Sequence, residues 1–510
     1  MRTKHAINNI VLQFASLLSG IVLYFALTPY LVEKLGNDMY GLNQLLLQTI
    51  GYFSIAEMGI GLSLSVLLYK ELISENTDNI NALLSAAHRT YIVIAIIIAI
   101  AGTIFSFYIR PIFSLQIEYS LYAQVAFLLY ILSAVLTYLF NVPAILLNTS
   151  QKGHKTYFYQ LAKPFLTYGG YVLMVYNGYS IIGIAFISLS VTAWSLYGTN
   201  VIAKKEFPWL NVWHFKKNYA ILKTSKYIFV EKLLIMVLFQ TDIILISYFL
   251  GIEHVAGYAL YTVFFFYIKE IMIIGTNNIT NGAGEMYQRN EVEQLFTLWK
   301  DAISLVFFIA IQLCIGIYFI FPHFFKLWMN NGLVLPQSIL FFFVTNLFYI
   351  LTMHPTSVIT GAQNYYQKRM KGSIAELSIN VLLSCVLIPR YGILGAIIST
   401  TIGHYSTNAW FIPMLFFQSI QKPFKIYLYI WFRYGTALLL AAVSGYIFYN
   451  QFLLTVFDSI TNWYTLIAST ICLGIFLLII TTGLFYCLDT NFKNSVARIK
   501  GIIKISVQKK

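Results

Sequence analysis

Two stretches of unbroken apolar sequence decide the fold: IVIAIIIAI at residues 92–100 and LGIFLLII at residues 473–480. A strand of a membrane β-barrel alternates apolar and polar residues over about ten positions. Neither stretch alternates, so each predicts a helix that is apolar around its whole circumference. Such a helix is buried, either within a large protein or in a membrane.

The composition extends this prediction to the whole chain. Of its 510 residues, 59% are hydrophobic and 10% are charged, whereas soluble domains average about 45–50% apolar and about 25% charged residues. A membrane-spanning helix needs about 20 apolar residues. We therefore predict an all-α, polytopic integral membrane protein of about 14 transmembrane helices, at residues 7–31, 41–68, 82–109, 119–148, 157–176, 179–202, 220–250, 255–283, 295–321, 334–361, 370–388, 391–417, 430–452 and 460–487.

The basic residues predict the orientation of these helices. Alternate connections and both termini hold 26 of the Lys and Arg residues near the spans, and the opposite side holds four, at positions 34, 110, 326 and 390. Because Lys and Arg accumulate on the cytoplasmic side, we expect both termini in the cytoplasm. The formal net charge of +14 then reflects topology and attraction to anionic membrane lipids, and nucleic acid is excluded as a partner.

The four cysteines give no sign of a metal or redox site. Cys314, Cys385, Cys472 and Cys487 lie in or beside apolar segments, with no C-x-x-C pair and no histidine at ligand spacing. We interpret them as packing residues and predict no metal and no cofactor.

An internal repeat divides the chain. Five residues recur at a constant offset of 212 positions: Pro143, Gln151, Tyr179, Ile181 and Gly183 match Pro355, Gln363, Tyr391, Ile393 and Gly395, and the pair Leu35-Gly36 recurs as Leu250-Gly251. The spacing predicts two six-helix lobes, residues 1–210 and 211–420, followed by transmembrane helices 13–14 and a basic cytoplasmic tail, residues 421–510. Six helices separate the copies, so we expect a pseudo-twofold axis along the membrane normal and alternating access to a cleft, as in parallel-repeat transporters. A structural or scaffold bundle is the alternative.

Acidic residues inside the predicted spans are candidates for ion coupling, because ionisable groups in a membrane are costly and usually face a cavity or a partner. Glu57 and Glu270 lie at equivalent depths, near the middle of spans 2 and 8, and Asp242 lies in span 7. A carboxylate at this depth can carry a proton or bind Na⁺. Each can equally be a buried acid that neighbouring polar side chains satisfy.

The basic residues inside the spans suggest a substrate site and a gate. Lys163 in span 5 and Glu376 in span 11 lie at similar depth, and we expect them to form a gate pair between the lobes, unless each is satisfied within its own lobe. Lys269 adjoins Glu270, but consecutive helical residues point about 100° apart, so we expect Lys269 to project separately into the cleft. Glu231 and Lys232 are near a span end and can snorkel; His354 and His404 are further polar groups at depth, of the kind that more often packs than relays protons.

The segments LGNDMYGL at residues 35–42 and YFSIAEMGIG at residues 52–61 resemble the polysaccharide-transporter branch of the multidrug/oligosaccharidyl-lipid/polysaccharide exporter superfamily, the O-antigen and capsule oligosaccharide flippases. The loops at residues 148–155 and 361–368, which contain Gln151 and Gln363, are also similar to that branch. Relatives often carry Asp where this chain has Glu57.

This resemblance implies a flippase in the bacterial inner membrane. Its substrate would be an undecaprenyl-diphosphate-linked oligosaccharide used for O-antigen, lipopolysaccharide or capsule synthesis, with H⁺ or Na⁺ as coupling ion and polysaccharide polymerase or assembly proteins as partners. A diphosphate needs cationic groups, and Lys163 and Lys269 are the available ones.

Two other function classes remain open. Five intramembrane acids against three bases are compatible with an ion-coupled multidrug exporter. A membrane-embedded polysaccharide polymerase is the enzyme alternative, but the external connections are short and lack paired carboxylates, so no catalytic residue is predicted. The sequence contains no G-x-x-x-x-G-K-[ST] motif, which argues against ATP as the direct energy source.

Overall fold

The described part of the chain consists of helices joined by short connections. A computed structural model describes residues 2–53, 57–150, 152–213, 226–277, 283–284, 286–287, 289–329, 333–363, 365–458, 462–489 and 492–493. Its α-helices are α1 Arg2–Phe53, α2 Glu57–Ile73, α3 Thr77–Ile112, α4 Ile117–Phe140, α5 Val142–Thr149, α6 Tyr157–Tyr176, α7 Ile181–Glu206, α8 Lys226–Leu250, α9 Val255–Asn277, α10 Val292–Met329, α11 Gln337–Ala362, α12 Tyr366–Tyr391, α13 Ile393–Ser406, α14 Asn408–Ser419, α15 Lys425–Phe448, α16 Leu454–Asp458 and α17 Trp463–Leu488. The described residues contain no strand.

The chain is a multi-pass membrane protein. Within the described residues, ten helices are long and apolar enough to cross a membrane. The other predicted spans fall on helices that are shorter, less apolar or only partly described. Two predicted spans are each broken in two: α4 and α5 meet at Asn141, and α13 and α14 meet at Thr407. Pro143 explains the first break, because proline lacks the N–H that would continue the α4 ladder and is accepted in the first turn of α5.

The repeat found in the sequence is also present in the backbone. Gly36 interrupts α1 at φ 79° and ψ 163°, and its repeat partner Gly251 ends α8 at φ 96° and ψ 166°. Only glycine adopts this conformation without strain, so the turn at this equivalent position depends on glycine in both copies of the repeat. Ile181 and Ile393, which are another matched pair of the repeat, are the first residues of α7 and α13.

The helices pack as two units. Unit 1 contains residues 1–259 with 388–392, and unit 2 contains residues 260–387 with 393–510. In unit 1, α1 packs against α6, α3 against α4, and α4 against α7. In unit 2, α10 packs against α11, α15 and α17, while α11 packs against α13 and α14. The lobe boundaries at residues 210 and 420 stay a prediction.

Aromatic side chains fill much of the interior of unit 2. The ring of Tyr261 lies 4.8 Å from the rings of both Phe321 and Phe325, and Phe265 stacks on Phe343 at 5.1 Å. Such pairs are worth about 0.5–1.5 kcal/mol each beyond their buried area. They join α9, α10 and α11, where lipid on the outside gives little hydrophobic driving force and tight packing has to hold the helices together.

Candidate functional site

Asp242 is a buried acid in unit 1. It lies in α8 with 5% of its surface exposed, and the Tyr258 hydroxyl of α9 donates a 2.8 Å hydrogen bond to its Oδ2 atom. The preceding residue, Thr241, shares a 2.8 Å hydrogen bond with the Tyr52 hydroxyl of α1. These contacts join three helices around the carboxylate. The proposed role of Asp242 in ion coupling stays a prediction.

Lys163 lies on the surface of α6 in unit 1. Its side chain is exposed, and no carboxylate among the described side chains of unit 1 forms an ion pair with it.

Glu57 is the first residue of α2, but its side chain lies outside the described part of the structure, as do those of Glu231 and Lys232. Gln151 also lies outside the described residues.

Lys269 and Glu270 form an ion pair in α9 of unit 2. The distance between Lys269 Nζ and Glu270 Oε1 is 3.2 Å, and the two side chains are 19% and 33% exposed. The expectation that Lys269 projects separately is therefore wrong. Consecutive Cβ atoms do point apart, but the four-carbon lysine stem is long enough to bend back across the angle. The ammonium also lies 4.6 Å from the centre of the Phe266 ring.

Glu376 is satisfied within unit 2. Its Oε1 atom contacts Nδ1 of His404, and its Oε2 atom accepts a hydrogen bond from the side-chain amide of Asn408. The Tyr349 ring stacks on the imidazole at 4.4 Å, with 17° between the ring planes. All three hydrogen-bonded residues are at most 5% exposed. The predicted gate pair of Glu376 with Lys163 stays a prediction.

The sequence reasoning recognised Glu376 and His404 as polar groups at depth but missed their contact. The sequence does contain a signal for this contact, which is the spacing of polar residues on the two sides of the turn between α12 and α13. Asn380 lies one helical turn after Glu376, and Thr400 lies one helical turn before His404. The Asn380 side-chain amide donates a 2.9 Å hydrogen bond to the Thr400 hydroxyl. The two polar pairs therefore follow one register between antiparallel helices.

The repeat places a similar polar contact after two equivalent helices. In unit 1, Lys152 and Lys155 follow α5, and both form ion pairs with Glu206 at the end of α7. In unit 2, the Gln363 side chain follows α11 and forms a 2.9 Å hydrogen bond with the Ser419 hydroxyl at the end of α14. Each contact attaches a connection to the last residue of a neighbouring helix.

An apolar groove of about 760 Å³ runs along the outside of unit 2. It is formed by α10 and α17, with one residue from α9, and Gln312 and Thr470 are polar members of its wall. Several wall residues, including Ile467 and Ile471, are exposed. The residues that line the groove are Phe264, Phe308, Ile309, Gln312, Leu313, Gly316, Ile317, Ile320, Phe321, Phe324, Trp463, Leu466, Ile467, Thr470, Ile471, Gly474 and Leu477. No sequence pattern identified this groove.

Solved structures of membrane transporters resemble this helical arrangement over most of its length. A structure of the lipid II flippase MurJ in an inward closed conformation superposes with a TM-score of 0.69 at 15% identity, covering 95% of this chain and 99% of its own. The fold is that of the MurJ flippase structure. An inward-facing multidrug resistance MATE family transporter of the MOP superfamily matches with a TM-score of 0.61 at 14% identity, covering 78% of this chain and 91% of its own.

A third structure, the Vibrio cholerae MATE transporter VcmN, matches with a TM-score of 0.60 at 13% identity and covers 82% of this chain and 98% of its own. No protein-family model and no curated protein sequence matches the chain. The similar structures are transporters and a flippase rather than enzymes. The two-lobed, MurJ-like and MATE-like transporter fold confirms the predicted fold class.

Proposed function

We propose that this protein is a flippase that moves an undecaprenyl-diphosphate-linked oligosaccharide from the cytoplasmic to the outer leaflet of a bacterial inner membrane, with both termini in the cytoplasm. Alternating access would carry the sugars through the protein while the isoprenoid tail stays in lipid. The product would serve O-antigen, lipopolysaccharide, capsule or exopolysaccharide synthesis.

The observation that carries this proposal is the apolar groove along α10 and α17. A polyprenyl tail needs a long apolar surface beside the translocation route, whereas a water-soluble drug does not. The groove is about 760 Å³ in volume and its wall is almost entirely hydrocarbon. This volume is within the range of about 300–1,000 Å³ that is usual for ligand sites.

The coverage of the structural matches supports the same conclusion. The lipid II flippase structure covers 95% of the chain, whereas the VcmN structure covers 82%. The flippase structure therefore matches more of this chain than the VcmN structure does.

The diphosphate requires cations, and Lys163 and Lys269 are the proposed ligands. Lys163 is exposed on α6, so its ammonium is available to a phosphate. Lys269 is only 19% exposed and is paired with Glu270, so protonation of Glu270 or binding of a cation there would release Lys269 for the substrate. This arrangement would link ion coupling by H⁺ or Na⁺ to diphosphate binding.

A multidrug exporter is the second candidate, because the MATE structures share the fold and buried carboxylates such as Asp242 suit cationic drugs. Deletion of the gene followed by analysis of lipid-linked intermediates separates the candidates. Repeat units that accumulate on the cytoplasmic leaflet support the flippase. Unpolymerised units on the outer leaflet would indicate a polymerase, and unchanged glycans with altered drug tolerance would indicate multidrug export.

A further inference from the structure

The contact between Glu376 and His404 is built by close packing of three helices. Gly403 precedes His404, and a Cβ atom there would lie 3.3 Å from the backbone oxygen of Glu376. Gly372 lies one turn before Glu376, and a Cβ atom there would clash with Oδ1 of Asn408. The two glycines thus let α13 and α14 approach α12 closely enough for both donors to reach one carboxylate.

Two hydrogen-bonding groups from other helices face the Glu376 carboxylate. Asn408 donates its amide N–H to Oε2. The Nδ1 atom of His404 faces Oε1, so a proton on this nitrogen is directed at the carboxylate.

The charge of the pair changes with one proton. With both ring nitrogens protonated, the charges of the imidazolium and the carboxylate sum to zero. When the imidazolium loses a proton, a neutral imidazole still donates Nδ1–H to Oε1, but a net charge of −1 is left in a site where the side chains of His404 and Glu376 are 3% and 6% exposed. An uncompensated buried charge is strongly unfavourable, so release of the proton favours a rearrangement of α12 against α13 and α14.

The other titratable groups near the pair come from four helices. From α11, Tyr349 stacks on the imidazole; from α13, the Tyr405 ring packs against Tyr349 at a tilt of 51°, with 5.5 Å between the ring centres. Arg369 of α12 and Tyr427 of α15 interact electrostatically with Tyr349, and α14 contributes the Asn408 amide. The imidazole is the basic group in direct contact with the Glu376 carboxylate, so protonation of the ring balances the charge at the shortest distance.

We propose that Glu376 and His404 form a proton-binding site inside unit 2, which takes up and releases one proton in each transport cycle. The existence of the site follows from its geometry. That its proton drives transport rests on the flippase function proposed above, so the two statements need separate measurements.

Proton binding can be measured without substrate by ¹⁵N nuclear magnetic resonance of histidine-labelled protein in lipid bilayers. The His404 signal is identified by its loss in His404→Gln. The signal is recorded at about pH 5 and at about pH 9; we expect imidazolium at the lower pH and imidazole at the higher pH, and we expect Glu376→Gln to abolish this change. The control His323→Gln, whose imidazole contacts Tyr449, should leave the His404 signal as it is. A His404 signal with the same form at both pH values would overturn the proposal.

Transport is then measured in liposomes with a fluorescent undecaprenyl-diphosphate-linked oligosaccharide and an imposed pH gradient. Stimulation by the gradient should be lost in both single variants and kept in His323→Gln. Retained stimulation in His404→Gln would refute coupling through this site. If the His404 signal changes with pH but the wild-type protein moves no lipid-linked probe, the proton site stands and the flippase function fails. The double variant Glu376→Met/His404→Leu leaves no charge on either residue and controls for folding, because replacement of a buried ion pair by hydrophobic residues of similar volume is often neutral or stabilising.

Discussion

Arg433 of α15 and Asp489, which follows the last residue of α17, form a buried ion pair, with 3.1 Å between Nη2 and Oδ1 and with 13% and 0% of their side chains exposed. The hydroxyls of Tyr434 and Ser304 donate to the other carboxylate oxygen. One carboxylate thus joins α10, α15 and α17. Two of these helices, α10 and α17, form the long walls of the apolar groove.

Removal of the carboxylate should destabilise unit 2. Asp489→Asn leaves the Arg433 guanidinium without this counter-charge, and breaking a buried ion pair from one side costs about 3–5 kcal/mol of the free energy of unfolding. The control is Glu293→Gln, which removes an ion pair with Lys422 in which Glu293 is 76% exposed; exposed pairs contribute about 0–1 kcal/mol. Thermal unfolding of detergent-purified protein measures both. Equal stability of the two variants would contradict the prediction.

A methyl group at Gly41 should disturb a close contact in unit 1. Gly41 follows the turn at Gly36, and it packs against Ile252, which follows the equivalent turn at Gly251. A Cβ atom there would lie 2.6 Å from the backbone oxygen of Ile252, and a backbone atom cannot move aside as a flexible side chain can. Overpacking of this kind costs about 1–3 kcal/mol, so Gly41→Ala should lower the unfolding temperature. Gly20→Ala is the matched control in α1, because no atom lies within 4 Å of its Cβ position. Similar unfolding temperatures for both variants would argue against the tight approach.

Filling the apolar groove should block a lipid-linked substrate. Gly474 lines the groove, and a Cβ atom added there meets no atom within 4 Å, so Gly474→Leu should fold normally and occupy the groove. The matched control is Gly483→Leu, on the same helix, equally open and outside the groove lining. We expect flipping of an undecaprenyl-diphosphate-linked probe in liposomes to fall in Gly474→Leu alone. Undiminished flipping in that variant would exclude the groove as the tail site.

Neutral replacement of the proposed diphosphate ligands should weaken substrate handling. A hydrogen bond to a charged group contributes about 1.5–3 kcal/mol, so Lys163→Gln and Lys269→Gln should each lower transport by about tenfold to a hundredfold. Arginine at either position keeps the charge and should retain more activity. Lys34→Gln, at an exposed position of α1, is the control. Unchanged transport in both variants, at normal protein levels, would remove the two lysines from the substrate site.

The proposed coupling carboxylates can be tested by neutralisation. Glu57→Gln, Asp242→Asn and Glu270→Gln should each weaken the response of transport to a pH or Na⁺ gradient if coupling passes through that residue. Glu270→Gln should in addition release Lys269, since the 3.2 Å ion pair is lost. The control is Glu118→Gln, at an exposed first-turn position of α4. A variant that keeps the full gradient response across pH and Na⁺ concentrations is eliminated as a coupling site.

Much of the fold was predictable because it depends on local composition. Apolar stretches predicted helices at positions where the structure has α3, α10, α11 and α17. The recurrence of Leu35-Gly36 as Leu250-Gly251 indicated a repeat, and the structure gives both glycines a positive φ. Helix breaks were harder to predict. The break at Thr407 divides a predicted span although the surrounding sequence is apolar, and residue composition gives no reason for it.

Less of the candidate site was predictable, because the partners of a side chain depend on which helices meet. Glu376 and His404 were both recognised, yet their contact joins residues 28 positions apart and depends on the stagger of α12 against α13. Lys269 was expected to stand apart from Glu270, but the flexible lysine stem closes the angle between neighbouring positions.

The sequence by itself determined that this is an all-helical, multi-pass membrane protein with an internal repeat, because hydrophobicity and repeated glycine positions act segment by segment. Only the tertiary structure decided where the charges are satisfied and where an apolar groove is formed. The carboxylate of Glu376 is held by donors on two other helices, and the groove exists only where α10 and α17 leave space between them. Both features arise from packing between distant segments, which no local pattern records.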